Sequence, residues 1–245
     1  MALIRLDKLI AQSGEHTRSE AAKLIRSGTV TVDGQPVRDP SAKLDAGQAG
    51  VLLNGQPVNG GPFRYVMFHK PAGILTAARD RNAQTVMDLL PEALKRRKVM
   101  PVGRLDKDTT GLLLLTNDGE LAHRLLAPGR HVWKEYIATV DGPLTEEDTE
   151  AFASGMELSD FTAKPAKLRV LENGAEQSRA VVLLSEGKFH QVKRMFAARG
   201  REVLALHRQG FGPLQLDVSV GNWRELSADE LSALRLAAEG KERNT

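Results

Sequence analysis

The 245-residue chain contains no cysteine. That absence excludes disulfide cross-links, thiolate nucleophiles and Cys-ligated zinc, and it fits a reducing cytoplasm. Aromatic residues make up only 4% of the chain, too few for a typical sugar-stacking cleft. No apolar run approaches the roughly 20 residues that span a bilayer; the Leu112-Leu113-Leu114-Leu115 run is strand-sized. The opening Met1-Ala2-Leu3-Ile4-Arg5 lacks the long apolar stretch of a secretory signal. A cytoplasmic protein with no membrane partner is expected. The six histidines, at positions 16, 69, 123, 131, 190 and 207, show no His-Glu-x-x-His or other metal spacing, so no metal site is expected.

Hydrophobic residues at 41% are enough for a buried core. The net charge of +3 and pI near 9.2 do not by themselves identify a nucleic-acid partner. The distribution of charge says more. Lys95-Arg96-Arg97-Lys98 reads as a solvated face, whereas Lys188, Lys193, Arg194, Arg199, Arg201 and Arg208 sit among glycine and histidine beside a helix, where they can grip phosphates.

Residues 1–60 read as a compact unit. Helical spacing runs from Arg5 to Ser13 with Leu6, Leu9 and Ile10 on one face. Thr17-Arg18-Ser19-Glu20 is a capping box that starts a second helix, which Gly28 ends. Asp33-Gly34 and Asn54-Gly55 are hairpin signals between short β-branched and apolar runs. Asn59-Gly60-Gly61-Pro62 punctuates the chain as a linker, leaving 61–245 as the larger domain.

Beyond the linker the pattern changes to strands interrupted by short helices. Strands are expected at 64–69, 99–102, 112–116, 134–140, 164–172, 178–185 and 202–208. Helices are expected at Asp118–Ala127, Leu144–Ser154, His190–Arg199 and Ala228–Ala237, the last opened by the capping box Ser227-Ala228-Asp229-Glu230. Strands adjoin without regular strand–helix alternation. The expected class is therefore α+β with a mixed, mainly antiparallel sheet flanked by helices. The polar tail after Glu239 reads as frayed.

The most informative segment is Gly103-Arg104-Leu105-Asp106-Lys107-Asp108-Thr109-Thr110-Gly111-Leu112, a loop between two expected strands. As a plain turn, its Asp and Thr side chains would bond nearby backbone N–H groups. Asp106-x-Asp108-x-Thr110-Gly111 also copies the first half of a calcium loop, but position twelve is Asn117 where a bidentate Glu is needed, and strands rather than helices flank it. Asp106 and Asp108 as a glycosidase pair fail too, because i, i+2 spacing in one loop cannot place carboxylates on opposite sides of a sugar.

The same run resembles the most diagnostic motif of the pseudouridine synthases, Gly-Arg-Leu-Asp-x-x-Thr-x-Gly-Leu. Other segments resemble further family motifs in order: His69-Lys70-Pro71-Ala72-Gly73, Lys134-Glu135-Tyr136, Glu186 to Phe196, Phe211-Gly212-Pro213-Leu214-Gln215-Leu216 and Gly221-Asn222-Trp223-Arg224-Glu225-Leu226. Residues 1–60 resemble an S4 RNA-binding domain through Arg5-Leu6-Asp7-Lys8, Thr17-Arg18-Ser19-Glu20-Ala21 and Gly28 to Gly34.

The resemblance implies an RNA isomerase without cofactor, in which Asp106 is the catalytic carboxylate. Tyr136 would stack on the target uracil, and Lys193 would be the basic partner of Asp106. Arg5, Arg18, Lys23 and Arg26 would face the RNA backbone, with Arg104 and Arg194 meeting RNA beside the catalytic loop. Attack at ribose C1′ and attack at base C6 both remain open. Within the family, the S4 unit and the His190-Gln191-Val192-Lys193-Arg194-Met195-Phe196 run look like the branch acting on 16S rRNA at uridine 516. The substrate would be that RNA or a small-subunit assembly intermediate, bound by a monomer. A large-subunit (23S) rRNA synthase is the nearest alternative, and a non-catalytic S4-type ribosome-binding protein is an alternative of another class. His69, where the branch commonly has asparagine, is a departure that leaves the chemistry untouched.

Overall fold

A computed structural model of the chain describes residues 3–13, 15–45, 49–58 and 63–240. The linker read at Asn59–Pro62 and the tail from residue 241 lie outside the described residues. The chain divides into two compact units, Met1–Arg64 with Leu90–Val99, and Tyr65–Leu89 with Met100–Thr245.

The first unit comprises β1 (Leu3–Arg5), α1 (Leu6–Ala11), α2 (Arg18–Ser27), β2 (Val30–Val32), β3 (Gln35–Pro36), β4 (Lys43–Asp45), β5 (Val51–Leu53) and β6 (Gln56–Pro57), with α3 (Glu92–Arg96) from its second segment. The Thr17 hydroxyl accepts the Glu20 N–H while the Glu20 carboxylate accepts the Thr17 N–H, so the expected capping box opens α2. Gly28 closes it in the left-handed conformation at φ 84°. Both hairpins turn at residue pairs with positive φ, Asp33-Gly34 and Asn54-Gly55, as a type I′ turn requires. The helix expected from Arg5 starts one residue later, because Leu3–Arg5 is drawn into an antiparallel pair with β4. Leu6, Leu9 and Ile10 bury against Ala21, Ile25, Val30 and Val51, forming this unit's core. Arg97, expected on a solvated face, is buried instead.

The second unit is built on a mixed sheet. Its strands are β7 (Tyr65–Lys70), β8 (Met100–Pro101), β9 (Thr110–Thr116), β10 (Lys134–Asp141), β13 (Lys167–Asn173), β14 (Gln177–Leu184), β15 (Val203–Phe211), β16 (Leu214–Gln215) and β17 (Trp223–Glu225). A separate hairpin pairs β11 (Met156–Glu157) with β12 (Thr162–Ala163). The main order is β13-β14-β10-β15-β9-β7-β17. Among the described pairings of this sheet only β9 with β15 is parallel, in agreement with the expected α+β class. Four helices accompany it: α4 (Gly119–Leu126), α5 (Glu146–Ser154), α6 (Gln191–Ala198) and α7 (Ala228–Ala238). Asp118, Thr145 and Ser227 cap three of them. Tyr65, Met67, Leu112 and Leu114 on one sheet face pack against Leu121 and Leu125 of α4 and Leu234 and Ala238 of α7.

The expected strand at 99–102 contracts to Met100–Pro101, paired with β9. The loop that follows therefore joins two paired strands, β8 and β9.

Candidate active site

The loop from Gly103 to Thr109 is anchored from two sides. The Thr76 hydroxyl donates to the Leu105 carbonyl at 2.8 Å and accepts the Leu105 N–H at 3.2 Å. Lys70, at the end of β7 and fully buried, donates its ammonium to the carbonyls of Pro71, Lys107 and Thr109 at 3.1, 3.0 and 2.8 Å. The Lys107 carbonyl also accepts the Gly73 N–H, and the Asp106 carbonyl accepts the Thr109 N–H. A buried lysine is tolerable because carbonyl dipoles replace its lost water. Burial pushes the Lys70 ammonium down to about 8, against the pull of Asp108 and Asp106. The loop is therefore fixed by bonds to its own backbone, and its side chains are left for other work.

One side chain so presented is Asp106, about a quarter exposed. It lines a cleft of about 430 Å³ together with Arg104, Tyr136, Leu184, Val192, Leu206 and the 187–191 turn. Tyr136 reaches this cleft from β10, where it pairs opposite Val182 of β14 and Arg208 of β15. Leu184 and Leu206 come from those two neighbouring strands. The result is a carboxylate and a phenol in a pocket with aliphatic walls, the combination expected for a small organic ring held by apolar contact and addressed by few polar groups.

His190 caps α6 in the left-handed conformation at φ 51°, and its Nε2 stands 3.4 Å from Asp106 Oδ1. The preceding Phe189 ring stacks on the His190 imidazole at 3.8 Å between centroids. Buried Gln191 secures this turn, accepting the Lys188 N–H at 3.0 Å and donating to the Glu186 carboxylate at 2.6 Å. Lys193, one helical turn on, hydrogen-bonds Asp108 at 2.5 Å, and that bond holds the Asp108 carboxyl below the usual carboxylate range. The partner expected for Lys193 was Asp106. Here the side chain recorded against Asp106 is the His190 imidazole, while Lys193 serves the neighbouring carboxylate.

Three comparisons bear on this arrangement. Residues 64–198 match the family model described as RNA pseudouridylate synthase, and residues 4–49 match the S4 domain. An uncharacterized RNA pseudouridine synthase from Bacillus subtilis is 41% identical, covering 94% of this chain and 98% of that protein. The ribosomal small subunit pseudouridine synthase A of Escherichia coli K12 is 40% identical over 238 residues, covering 94% of this chain and all of its own. The chain belongs to the RNA pseudouridine synthases.

A solved pseudouridylate synthase structure, 36% identical, covers 94% of this chain and 99% of its own with a TM-score of 0.66. For a pseudouridine synthase, the positions of the expected residues fall into two groups. Asp106, Tyr136 and Arg104 meet at one cleft. Lys193 and Arg194 lie on α6 outside its lining, and the Arg194 guanidinium bonds Ser159 and Asp160 while lying over the Phe161 ring at 4.8 Å. In the S4 unit, Arg5 and Arg18 both turn onto the buried Asp7 carboxylate, at 2.8 and 3.3 Å, and the Arg5 bond is the main cause of its lowered proton affinity. Lys23 and Arg26 stay exposed on α2.

Sequence reading missed Thr76, Leu184, Leu206 and the contact of His190 with Asp106. Thr76 stands in a stretch without periodicity, and its role depends on a bond across 29 residues. Leu184 and Leu206 read as ordinary strand residues. His190 was visible within its motif, but its left-handed backbone was not. Among the described residues no His/Cys/Asp/Glu cluster suited to a metal occurs, and no helix is long and apolar enough to cross a membrane.

Proposed function

We propose that this synthase converts a uridine of 16S rRNA, uridine 516, into pseudouridine, with Asp106 as the nucleophilic carboxylate. The observation that carries the reading is the Asp106 side chain, held in the cleft by a loop whose backbone is bonded to Thr76 and Lys70 and lining it together with Tyr136 of β10. The naming of relatives as small-subunit enzymes supports the choice of RNA.

The isomerisation breaks the N1–C1′ bond, turns the uracil and rejoins it through C5. It gains and loses no atoms, so acid–base and nucleophilic groups suffice. Asp106 supplies the nucleophile. Tyr136 covers the extruded base and is placed to handle the C5 proton. Lys193 brings positive charge to Asp108 and favours its ionised form, while the His190 ring lies against Asp106. The target base must leave its stack, at a cost of a few kcal/mol, and the aliphatic walls at Leu184 and Leu206 replace the lost contacts. Arg104 and Arg194 assist at phosphates near the cleft. Residues 1–60 deliver RNA through Arg5, Arg18, Lys23 and Arg26, and residues 61–245 carry the chemistry. The enzyme works as a cytoplasmic monomer.

The test uses 16S rRNA tritiated at uracil C5, with tritium release as the readout. Wild-type protein should release one equivalent per RNA, and Asp106→Asn should release none while still binding the RNA. Retention of a tenth of the activity by the variant overturns the assignment of Asp106.

A further inference from the structure

We propose that Phe189 and His190 form an aromatic ledge that stacks an unpaired nucleobase of the RNA beside the one drawn into the cleft. The proposal rests on the reading of Asp106 as the catalytic centre. Phe189 is 70% exposed, the most exposed of the large hydrophobic residues described. An apolar ring left in water on a pocket rim, rather than on a remote surface, is a binding feature in search of an apolar face.

Three observations give the ledge its form. The Phe189 ring is already paired with the His190 imidazole at 3.8 Å and an interplanar angle of 18°, so one more planar ring extends an existing stack. The backbone beneath is fixed: Gln191 binds the Lys188 N–H and the Glu186 carboxylate, Glu186 in turn accepts the Lys164 N–H at 2.9 Å, and α6 begins immediately after. His190 holds φ 51°, a conformation that a non-glycine residue adopts at some strain and keeps only when its surroundings impose it. Both ledge residues line the cleft with Asp106, and His190 Nε2 stands 3.4 Å from its carboxylate. A base stacked on Phe189 is thus registered to the catalytic carboxylate through two intervening rings, Phe189 and His190.

The ligand class follows from the chemistry. Every nucleobase has a π face, so a phenyl ring accepts an unstacked base with little sequence preference. The exposed cations Lys188 and Arg104 on the same rim suit the backbone phosphates of that nucleotide. The ledge separates two modes of holding RNA: phosphates bind through charge and respond to salt, whereas the stack does not.

The experiment measures affinity and turnover of the full-length enzyme on a short hairpin carrying the target uridine, with 2-aminopurine at a flanking unpaired position. Wild-type binding should quench the 2-aminopurine fluorescence. Phe189→Ala should remove most of that quenching and weaken RNA binding roughly tenfold, the factor one base–aromatic stack is worth. The slope of log affinity against log salt should stay as in wild type, because no phosphate contact is lost. Phe189→Trp should restore both affinity and quenching. Unchanged affinity in Phe189→Ala, a shallower salt slope, or no rescue by Trp overturns the ledge. Binding measured in the Asp106→Asn background keeps the two readings apart, since the ledge can be judged there even if Asp106 proves not to be the nucleophile.

Discussion

Gly111 lies so close to the backbone of Arg208 that a Cβ on it would stand 2.2 Å from the Arg208 carbonyl oxygen. The two residues are partners in the parallel pairing of β9 with β15, and on its other side Gly111 pairs with Lys70 of β7. Its φ of 109° is itself one that side chains rarely adopt. A glycine therefore permits the strand leaving the 103–109 loop to enter the sheet between two neighbours.

Gly111→Ala is expected to destabilise the protein by about 3 kcal/mol or more, because backbone atoms cannot swing aside as a side-chain tip can. Thermal unfolding of the purified variant checks this. A melting temperature within a degree or two of wild type would mean that β15 shifts freely, contrary to its burial between β9 and β10.

Thr76→Val retains shape but removes the hydroxyl that both accepts from and donates to Leu105. Leaving those two backbone groups unpaired costs on the order of 1–3 kcal/mol. The larger effect is expected on turnover, since Asp106 is the next residue and its position depends on that anchor. Turnover at saturating RNA should fall further than affinity, and equal losses in both would place the hydroxyl in RNA binding instead.

The Lys193–Asp108 pair distinguishes two uses of one lysine. It is well exposed on the Asp108 side, so it contributes about 0–1 kcal/mol to stability. If Lys193 acts on the 103–109 loop as a source of positive charge, Lys193→Met should cut turnover at least tenfold. Asp108→Asn frees the lysine and should cost less than about threefold. Equal losses in the two variants would show that the ion pair itself, rather than the cation, is what catalysis needs. Paired melting and tritium-release measurements decide the matter.

Much of this architecture was legible because its signals are local. The capping boxes at Thr17–Glu20 and Ser227–Glu230 form as read, and the Asp33-Gly34 and Asn54-Gly55 turns take the positive φ values their residue types favour. What escaped was decided by distant partners. Leu3–Arg5 became strand because Lys43–Asp45 lies beside it, and Leu90–Val99 joined the first unit across 25 intervening residues of the second. In the site, residue types were readable but pairings were not. The left-handed turn at His190 brings that residue to Asp106 and leaves Lys193 with Asp108, and only the three-dimensional path of the turn shows it.

Lys134 offers a pH-dependent test. It is buried on β10, and burial first, then the nearby Arg208, push its ammonium down to about 8. The folded value lies below the free value of 10.5, so folding disfavours the charged form. The resulting penalty is present in full below pH 8 and fades as pH rises towards 10.5. Lys134→Met, similar in volume, should therefore be more stable than wild type at pH 7, by about 2 kcal/mol, and the advantage should shrink to nothing by about pH 10.5. Urea unfolding at several pH values checks the slope, and a difference that stays constant from pH 7 to 10 refutes it.

The S4 unit's four expected RNA-facing residues should separate by their surroundings. Arg5 and Arg18 are also engaged with Asp7, which is 4% exposed, so they hold the unit together in addition to their proposed part in facing RNA. Removing Arg18 leaves that buried carboxylate with one partner, and Arg18→Ala should lower the melting temperature measurably. Lys23 and Arg26 are exposed on α2 and carry no such duty. Each phosphate neutralised contributes about 0.7–0.9 to the slope of log affinity against log salt. The double variant Lys23→Ala/Arg26→Ala should therefore fold as stably as wild type, bind rRNA more weakly and show a slope shallower by about 1.5. Titrations at several salt concentrations measure it directly. An unchanged slope would move the RNA path off α2, and a shallower slope for Arg18→Ala without loss of stability would mean that Asp7 gives up its arginines when RNA binds.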